Sequence, residues 1–250
     1  MRTTLQRIKL SKGQLLAGGY GITTFLFAFI LAWGALYPSD FLYGLWHAHG
    51  GIAEGIDRYG PKNRYKLGFA ETTRSQRVQL FHEINVAVHR GGEGLQAITY
   101  QSPSSQGSQL LLREPEVIHL QDVARLIDTL TRVAWGVALM WGAGTAVYFV
   151  RCRVVPGLRQ QVAGPIALLL AGGLCLVMFG AEAVFNQLHI WIFPDEHQWF
   201  FYYQESLMST MMLAPRLFAW IAATWVVLAL GIFLLVGRIC AWLCARRESS

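Results

Sequence analysis

Residues 217–237 read LFAWIAATWVVLALGIFLLVG, a run with no charged side chain anywhere in it. About 20 apolar residues in a helix cross the ~30 Å of hydrocarbon in a bilayer. The stretch is long enough, and its near-complete apolarity leaves no polar face for water. Three further stretches read the same way, at about 15–37, 130–150 and 162–186, and the last helix extends to about 238. The first is too long in its apolar part for a cleaved leader and lacks an evident small-residue cleavage pattern, so it is expected to be retained. With 54% hydrophobic and only 14% charged residues, the 250-residue chain carries too little charge to cover a soluble domain of its size. The expected fold is an all-α integral membrane protein with four transmembrane helices, forming a single membrane domain over 1–250.

Charge placement orients these spans. The N-terminus (Arg2, Arg7, Lys9, Lys12), the second connection (Arg151, Arg153, Arg159) and the tail (Arg238, Arg246, Arg247) share their side with a single acid, Glu248. Basic segments stay in the cytoplasm, which predicts both termini inside and a large extracytoplasmic first loop over 38–128. The net charge of +6 is thereby a topology signal and implies no nucleic-acid partner. Cys152, Cys240 and Cys244 fall near the inner face and Cys175 within the third helix, so no disulfide or nucleophilic thiol is expected outside. All seven histidines, His47, His49, His82, His89, His119, His189 and His197, fall on the other side. Chemistry titrating near neutral pH belongs there.

The first loop is too long to lack structure. Its start, with Trp46, His47 and His49, reads as irregular. Thr73–His89 has helical apolar spacing and is ended by Gly91, Gly92 and Gly94. Leu95–Gln101 and Gln109–Arg113 read as two strands of a short β-hairpin joined by Ser102–Ser108. Pro115 suits the first turn of a new helix. That helix is amphipathic over about 115–128, which suggests an interfacial segment bending into the second span near Asp128.

Two constellations carry chemistry. Glu116, His119 and Asp122 recur at three-residue steps, so either carboxylate could hold the imidazole in one tautomer. Arg125 follows on the same face, able to meet phosphate or carbonyl groups at the interface. Glu182, Asn186 and His189 share a side at the end of the third helix. A carboxylate inside hydrocarbon costs about 2.5–3.5 kcal/mol, so Glu182 should face the bundle interior or a wet cavity. Phe193, Trp199 and Phe200 then supply aromatics, either as an interfacial belt or as a wall admitting acyl chains. His47, His49, His82, Glu83 and His89 have no spacing of a known metal site, and no metal or other cofactor is expected.

Glu116-Val117-Ile118-His119-Leu120-Gln121-Asp122-Val123 resembles an E-x-x-H-M-x-D-V signature, and Leu188-His189 with Phe193-Pro194 and Trp199-Phe200 resembles F-H-x-x-F-F … W-x-F. Their order and placement, with Pro215 before the last helix, resemble the four-helix bacterial membrane proteins that include the lipoprotein intramolecular transacylases (Lit). The chain departs from the pattern at Leu188, Leu120 and Ala124. The resemblance implies an acyltransferase in the bacterial cytoplasmic membrane whose active site faces the extracytoplasmic side. Its partners would be membrane lipid and a diacylated lipoprotein N-terminus. The sn-2 acyl chain would move from the glyceryl ester to the α-amino group of the N-terminal cysteine, with His119 and His189 as the catalytic pair. One scheme has neutral His119, oriented by Glu116 or Asp122, take the amine proton while His189, kept cationic by Glu182, donates to oxygen; the two roles could be exchanged, and the sequence does not fix them. The competing readings are a non-enzymatic membrane factor binding lipid or a partner through its first loop, and an outward-facing metal-binding protein.

Overall fold

The computed structural model describes residues 12–104, 107–152 and 155–248. Arg2, Arg7, Lys9 and Arg153, and Ser105 and Gln106 of the expected turn, lie outside the described residues. In chain order the helices and strands are α1 (Lys12–Leu36), α2 (Tyr43–His49), α3 (Ile52–Tyr59), α4 (Arg74–Val88), β1 (Thr99–Tyr100), β2 (Gln109–Leu110), α5 (Glu114–Val147), α6 (Leu158–Gln161), α7 (Ala163–Phe179), α8 (Ala181–Ile192), α9 (Leu207–Met212) and α10 (Arg216–Glu248). The protein is nearly all-α, and four helical stretches are long and apolar enough to cross a membrane: Gly13–His49, Glu114–Val150, Leu158–Phe179 and Arg216–Arg246. It is a multi-pass membrane protein.

The chain divides into two compact units, the first comprising Met1–Leu31, Ala134–Cys175 and Leu228–Ser250. All four cysteines and none of the seven histidines belong to it. Buried hydroxyls are satisfied between helices: Tyr20 Oη meets Thr145 Oγ1 at 3.0 Å, and Trp141 donates Nε1–H to Thr24 Oγ1 at 3.1 Å. Trp141 also stacks on Phe27 with centroids 4.0 Å apart, and Phe25, Ala28 and Phe233 form an apolar cluster. Small residues permit the closest approach. A Cβ on Gly21 would lie 2.1 Å from the carbonyl oxygen of Gln161, backbone that cannot yield cheaply. Gly21→Ala is therefore expected to destabilise the protein by about 1–3 kcal/mol through overpacking. A lowered midpoint of thermal unfolding in detergent checks this; an unchanged midpoint would refute the close crossing.

The second unit comprises Ala32–Val133 and Leu176–Val227 and holds every histidine. Its core joins α2, α3, α4, the strand pair, the start of α5 and α9 through Tyr43, Phe69, Leu80, Leu95, Leu111, Leu120 and Met211. Tyr43 lies flat on Phe81 at 4.0 Å. Thr73 caps α4 by accepting the Gln76 N–H at 3.2 Å, as Ser and Thr do before a helix. Before α2, Asp40, Phe41 and Leu42 have φ of 51°, 51° and 61°. Left-handed non-glycine residues cost about 1–3 kcal/mol each, so the surroundings must impose this turn. The Asp40 carboxylate accepts from Asn85 Nδ2 at 2.8 Å and from His82 Nδ1 at 2.9 Å, and Trp46 donates to the Phe41 carbonyl at 3.0 Å.

Several expectations are corrected. The start of the first loop is helical (α2 and α3) because its apolar residues, such as Tyr43, Ile52 and Ile56, pack into the core. Leu95–Ala97 is a 3-10 turn, and only Thr99–Tyr100 pairs antiparallel with Gln109–Leu110. The α5 helix runs through Asp128 without interruption; Leu120 and Ala124 are buried in protein, so no interfacial break is needed. The third span breaks at Gly180, where φ 81° and ψ 149° suit glycine alone, and α8 starts afresh at Ala181.

Candidate functional site

The second unit encloses a cavity of about 660 Å³, within the range of roughly 300–1,000 Å³ that small-molecule sites occupy. Its wall is mainly apolar and aromatic. Of the residues singled out from sequence it brings together His119, His189, Glu182, Asn186, Trp199 and Phe200. Two separate helices deliver the imidazoles, α5 for His119 and α8 for His189.

The two rings face each other at 6.1 Å between centroids, inclined by 30°. Phe193 sits against both, 4.9 Å from His119 and 5.2 Å from His189, and Trp199 flanks His189 at 5.0 Å. The Nδ1 of His189 lies 2.8 Å from the Phe185 carbonyl. A carbonyl only accepts, so Nδ1 carries the proton and Nε2 holds the lone pair. Burial lowers the pKa of His189, against a smaller opposing effect of that hydrogen bond. The ring is thus a neutral, oriented acceptor of protons, which corrects the expected cationic state. His119 is buried and its Nδ1 has no hydrogen-bond partner among the described residues.

The carboxylates do other work than expected. Glu116 is fully buried and accepts from Ser206 Oγ at 2.6 Å, from the Met208 N–H at 3.3 Å and from the Arg113 N–H at 2.8 Å. Asp122 bonds His197 Nδ1 at 2.7 Å and pairs with Arg125. Neither hydrogen-bonds His119: both reach instead to the segment after α8, which spacing along α5 cannot reveal. Arg125 is outside the cavity lining, and Glu182 lines it without orienting His189, whose partner is the backbone of its own helix.

Two histidines escaped the sequence reading. His197 is the partner of Asp122, 75 residues away, with no local pattern to announce it. His89 also lines the cavity, a place that its position after an amphipathic helix does not announce. Among the described residues no cluster of three or more His, Cys, Asp or Glu side chains could hold a metal ion.

Fold and cavity define the class: a nearly all-α, multi-pass membrane protein with paired imidazoles in an apolar chamber. Within that class the fold is that of the membrane integral lipoprotein intramolecular transacylase Lit from Bacillus cereus. A mutant form of that protein, solved in meso, matches with a TM-score of 0.63 over 94% of this chain and 92% of its own. At 17% sequence identity the likeness is one of fold. No protein-family model matches the sequence, nor does any curated protein.

Proposed function

We propose that this chain is a membrane acyltransferase that moves the sn-2 O-acyl chain of a diacylglyceryl lipoprotein onto the α-amino group of its N-terminal cysteine. The observation that carries the reading is the pair of imidazoles, 6.1 Å apart, from separate helices in one apolar cavity. Chains of an acylated substrate suit the aromatic wall, and the ester and amine of one molecule need only a proton shuttle between them. The reaction starts from the free amine, whose nitrogen attacks the sn-2 carbonyl carbon. A C–N bond forms and His189 Nε2 takes the amine proton. The buried ring of His119 donates a hydrogen bond to the oxyanion. Collapse breaks the C–O bond, and His189 returns its proton to the glyceryl oxygen, leaving a hydroxyl and an amide. Proximity within one substrate makes a covalent enzyme intermediate unnecessary. Both termini are cytoplasmic in this reading and the chamber opens to the extracytoplasmic lipid boundary, the side where processed lipoproteins reside. Glu116 and Asp122, the latter paired with Arg125, hold the segment after α8 in place, and Glu182 and Asn186 line the site; Phe193, Trp199 and Phe200 contribute to substrate binding.

Mass spectrometry of a lipoprotein's N-terminal peptide, from bacterial membranes with and without this protein, tests the reaction. An N-acylated, lyso-glyceryl cysteine that depends on the protein is the expected product. Unchanged diacylglyceryl cysteine would leave a lipid-binding factor without catalysis as the better reading.

The protonation state of His189 gives a pH signature. Its depressed pKa keeps the base neutral at and above its ordinary range, so the acid limb falls below about pH 6.5. Between pH 6 and 8 the rate is expected to rise as the α-ammonium, with a pKa of about 7.7–8.0, releases its proton. Initial rates on a synthetic lipopeptide check this. A rate that declines over the same interval would make an imidazolium the working form and reverse the assignment.

A further inference from the structure

Several hydrogen-bond donors in the cavity wall are already committed. Asn85 donates to Asp40 Oδ1 at 2.8 Å and to the Tyr37 carbonyl at 3.2 Å. His89 donates Nδ1–H to the Asn85 carbonyl at 2.8 Å, and Tyr203 donates its hydroxyl to the Ala214 carbonyl at 2.9 Å. On α8, the helix that carries His189, the lining residues are Glu182, Phe185, Asn186 and His189. The side-chain amide of Asn186 hydrogen-bonds no described residue. The residue is half-buried and its amide atoms keep accessible surface, so a molecule in the cavity can reach them. The same holds for Nε2 of His189. A structural amide in an apolar wall pairs with its neighbours, as Asn85 does; Asn186 pairs with none among the described residues.

Its place on the helix matters as much as its freedom. Residues three apart stand on one face with Cβ atoms about 5–6 Å from each other, and both side chains lean toward the helix N-terminus. Asn186 differs from the hydroxyl and indole groups of the wall in being tied to His189 by one helical turn. In the proposed transfer the amine nitrogen, hydrogen-bonded to His189, attacks the sn-2 carbonyl carbon. Negative charge then collects on the carbonyl oxygen, two bonds from that nitrogen. A donor one turn from the base is at the spacing such an oxygen requires. His119 supplies one hydrogen bond, but an oxyanion has three lone pairs and is held best by more than one donor. Glu182 is a further turn from His189 and makes no hydrogen bond to the Asn186 amide.

We infer that Asn186 is a further catalytic residue whose side-chain N–H donates to the sn-2 oxyanion beside His119, a reading that rests on the proposed transfer. The charge appears as the C–N bond forms and disappears as the C–O bond to glycerol breaks. The amide gives up no proton in either half, so it acts on the intermediate without entering the proton shuttle of His189. An apolar wall strengthens such a donor, because water does not compete for the oxygen.

Rates and binding together decide the matter. In the full chain in detergent, Asn186→Leu removes the amide and keeps a side chain of similar size. On a synthetic diacylglyceryl-cysteinyl lipopeptide it should lower kcat by about 10²- to 10³-fold, as loss of one oxyanion donor does, and leave KM within about threefold. Two unreactive lipopeptides are then titrated by tryptophan fluorescence. One carries a phosphonate in place of the sn-2 ester, tetrahedral and anionic like the intermediate; the other carries an sn-2 ether, which has no carbonyl oxygen. Asn186→Leu should weaken the phosphonate by about the factor lost in kcat and leave the ether within about threefold. Asn186→Gln, which retains an N–H donor, should recover part of both losses and serves if the leucine variant folds poorly. Equal weakening of both probes, or of neither, would make Asn186 a packing residue and overturn the inference. An Asn186-dependent preference for the phosphonate in a wild-type chain that transfers nothing would retire the reaction and keep the donor. Transfer with no dependence on Asn186 would do the reverse.

Discussion

With His189 replaced by alanine, acyl transfer to the cysteine amine is expected to fall by about 10²- to 10⁴-fold, the usual contribution of a positioned general acid–base group. His189 is the stronger candidate for so large an effect because its ring is the oriented one. The Phe185 carbonyl, 2.8 Å from Nδ1, fixes the proton there and leaves the lone pair to Nε2 on a ring that lines the cavity. Alanine also removes packing against Phe185, Phe193 and Trp199, whose rings lie 4.1, 5.2 and 5.0 Å away. His189→Phe separates the two losses, since it keeps an aromatic ring there and removes only the nitrogens. It should be as inactive as alanine while unfolding close to the wild-type temperature. A phenylalanine variant within tenfold of the wild-type rate would show that the imidazole supplies shape and not proton transfer. His119→Ala should also abolish transfer, with its loss appearing in the rate at saturating substrate, because it acts on the oxyanion.

The second large effect is on folding. Glu116→Ala is expected to lower stability by about 3–5 kcal/mol, as removal of one partner from a buried charged network does. The deletion strands the Ser206 hydroxyl, the Met208 and Arg113 N–H groups, and the Arg113 guanidinium 3.5 Å from the carboxylate. Ser206 caps α9 by accepting the Ser209 N–H at 2.9 Å, so the damage reaches the cavity wall at Met208, Ser209 and Met212. Thermal unfolding in detergent should therefore shift downward, and residual activity should show weakened substrate binding as well as a slower step. An alanine variant that unfolds at the wild-type temperature but loses activity would place Glu116 in the chemistry, as its spacing from His119 first suggests. Glu116→Gln should fall between, since its oxygen still accepts from Ser206 while its amide faces the Arg113 donors.

These two residues show how unevenly sequence reveals a site. His189 was recognisable from a short motif at the end of an apolar stretch, and the cavity does bring it to His119. Glu116 was recognisable as special for the wrong reason. Helical periodicity says that residues three apart share a face; it says nothing of what that face meets. Here it meets Ser206 and, through Asp122, His197, from a segment 75 to 90 positions further on. Gly180 is a similar case. Nothing around a glycine in an apolar run declares whether it will continue the helix or take φ 81° and end it.

By itself the sequence determined that this is a multi-pass, nearly all-helical membrane protein with four stretches long and apolar enough to cross a bilayer, because the hydrocarbon thickness and the need to satisfy every backbone group act on contiguous residues. It also determined which segments are rich in titrating groups, since composition along a chain is a local property. Only the tertiary structure decided which imidazoles share a cavity and which carboxylates are clamps. Those outcomes depend on contacts between distant segments, and burial changes the meaning of a polar side chain only after the neighbours that exclude water have been assembled.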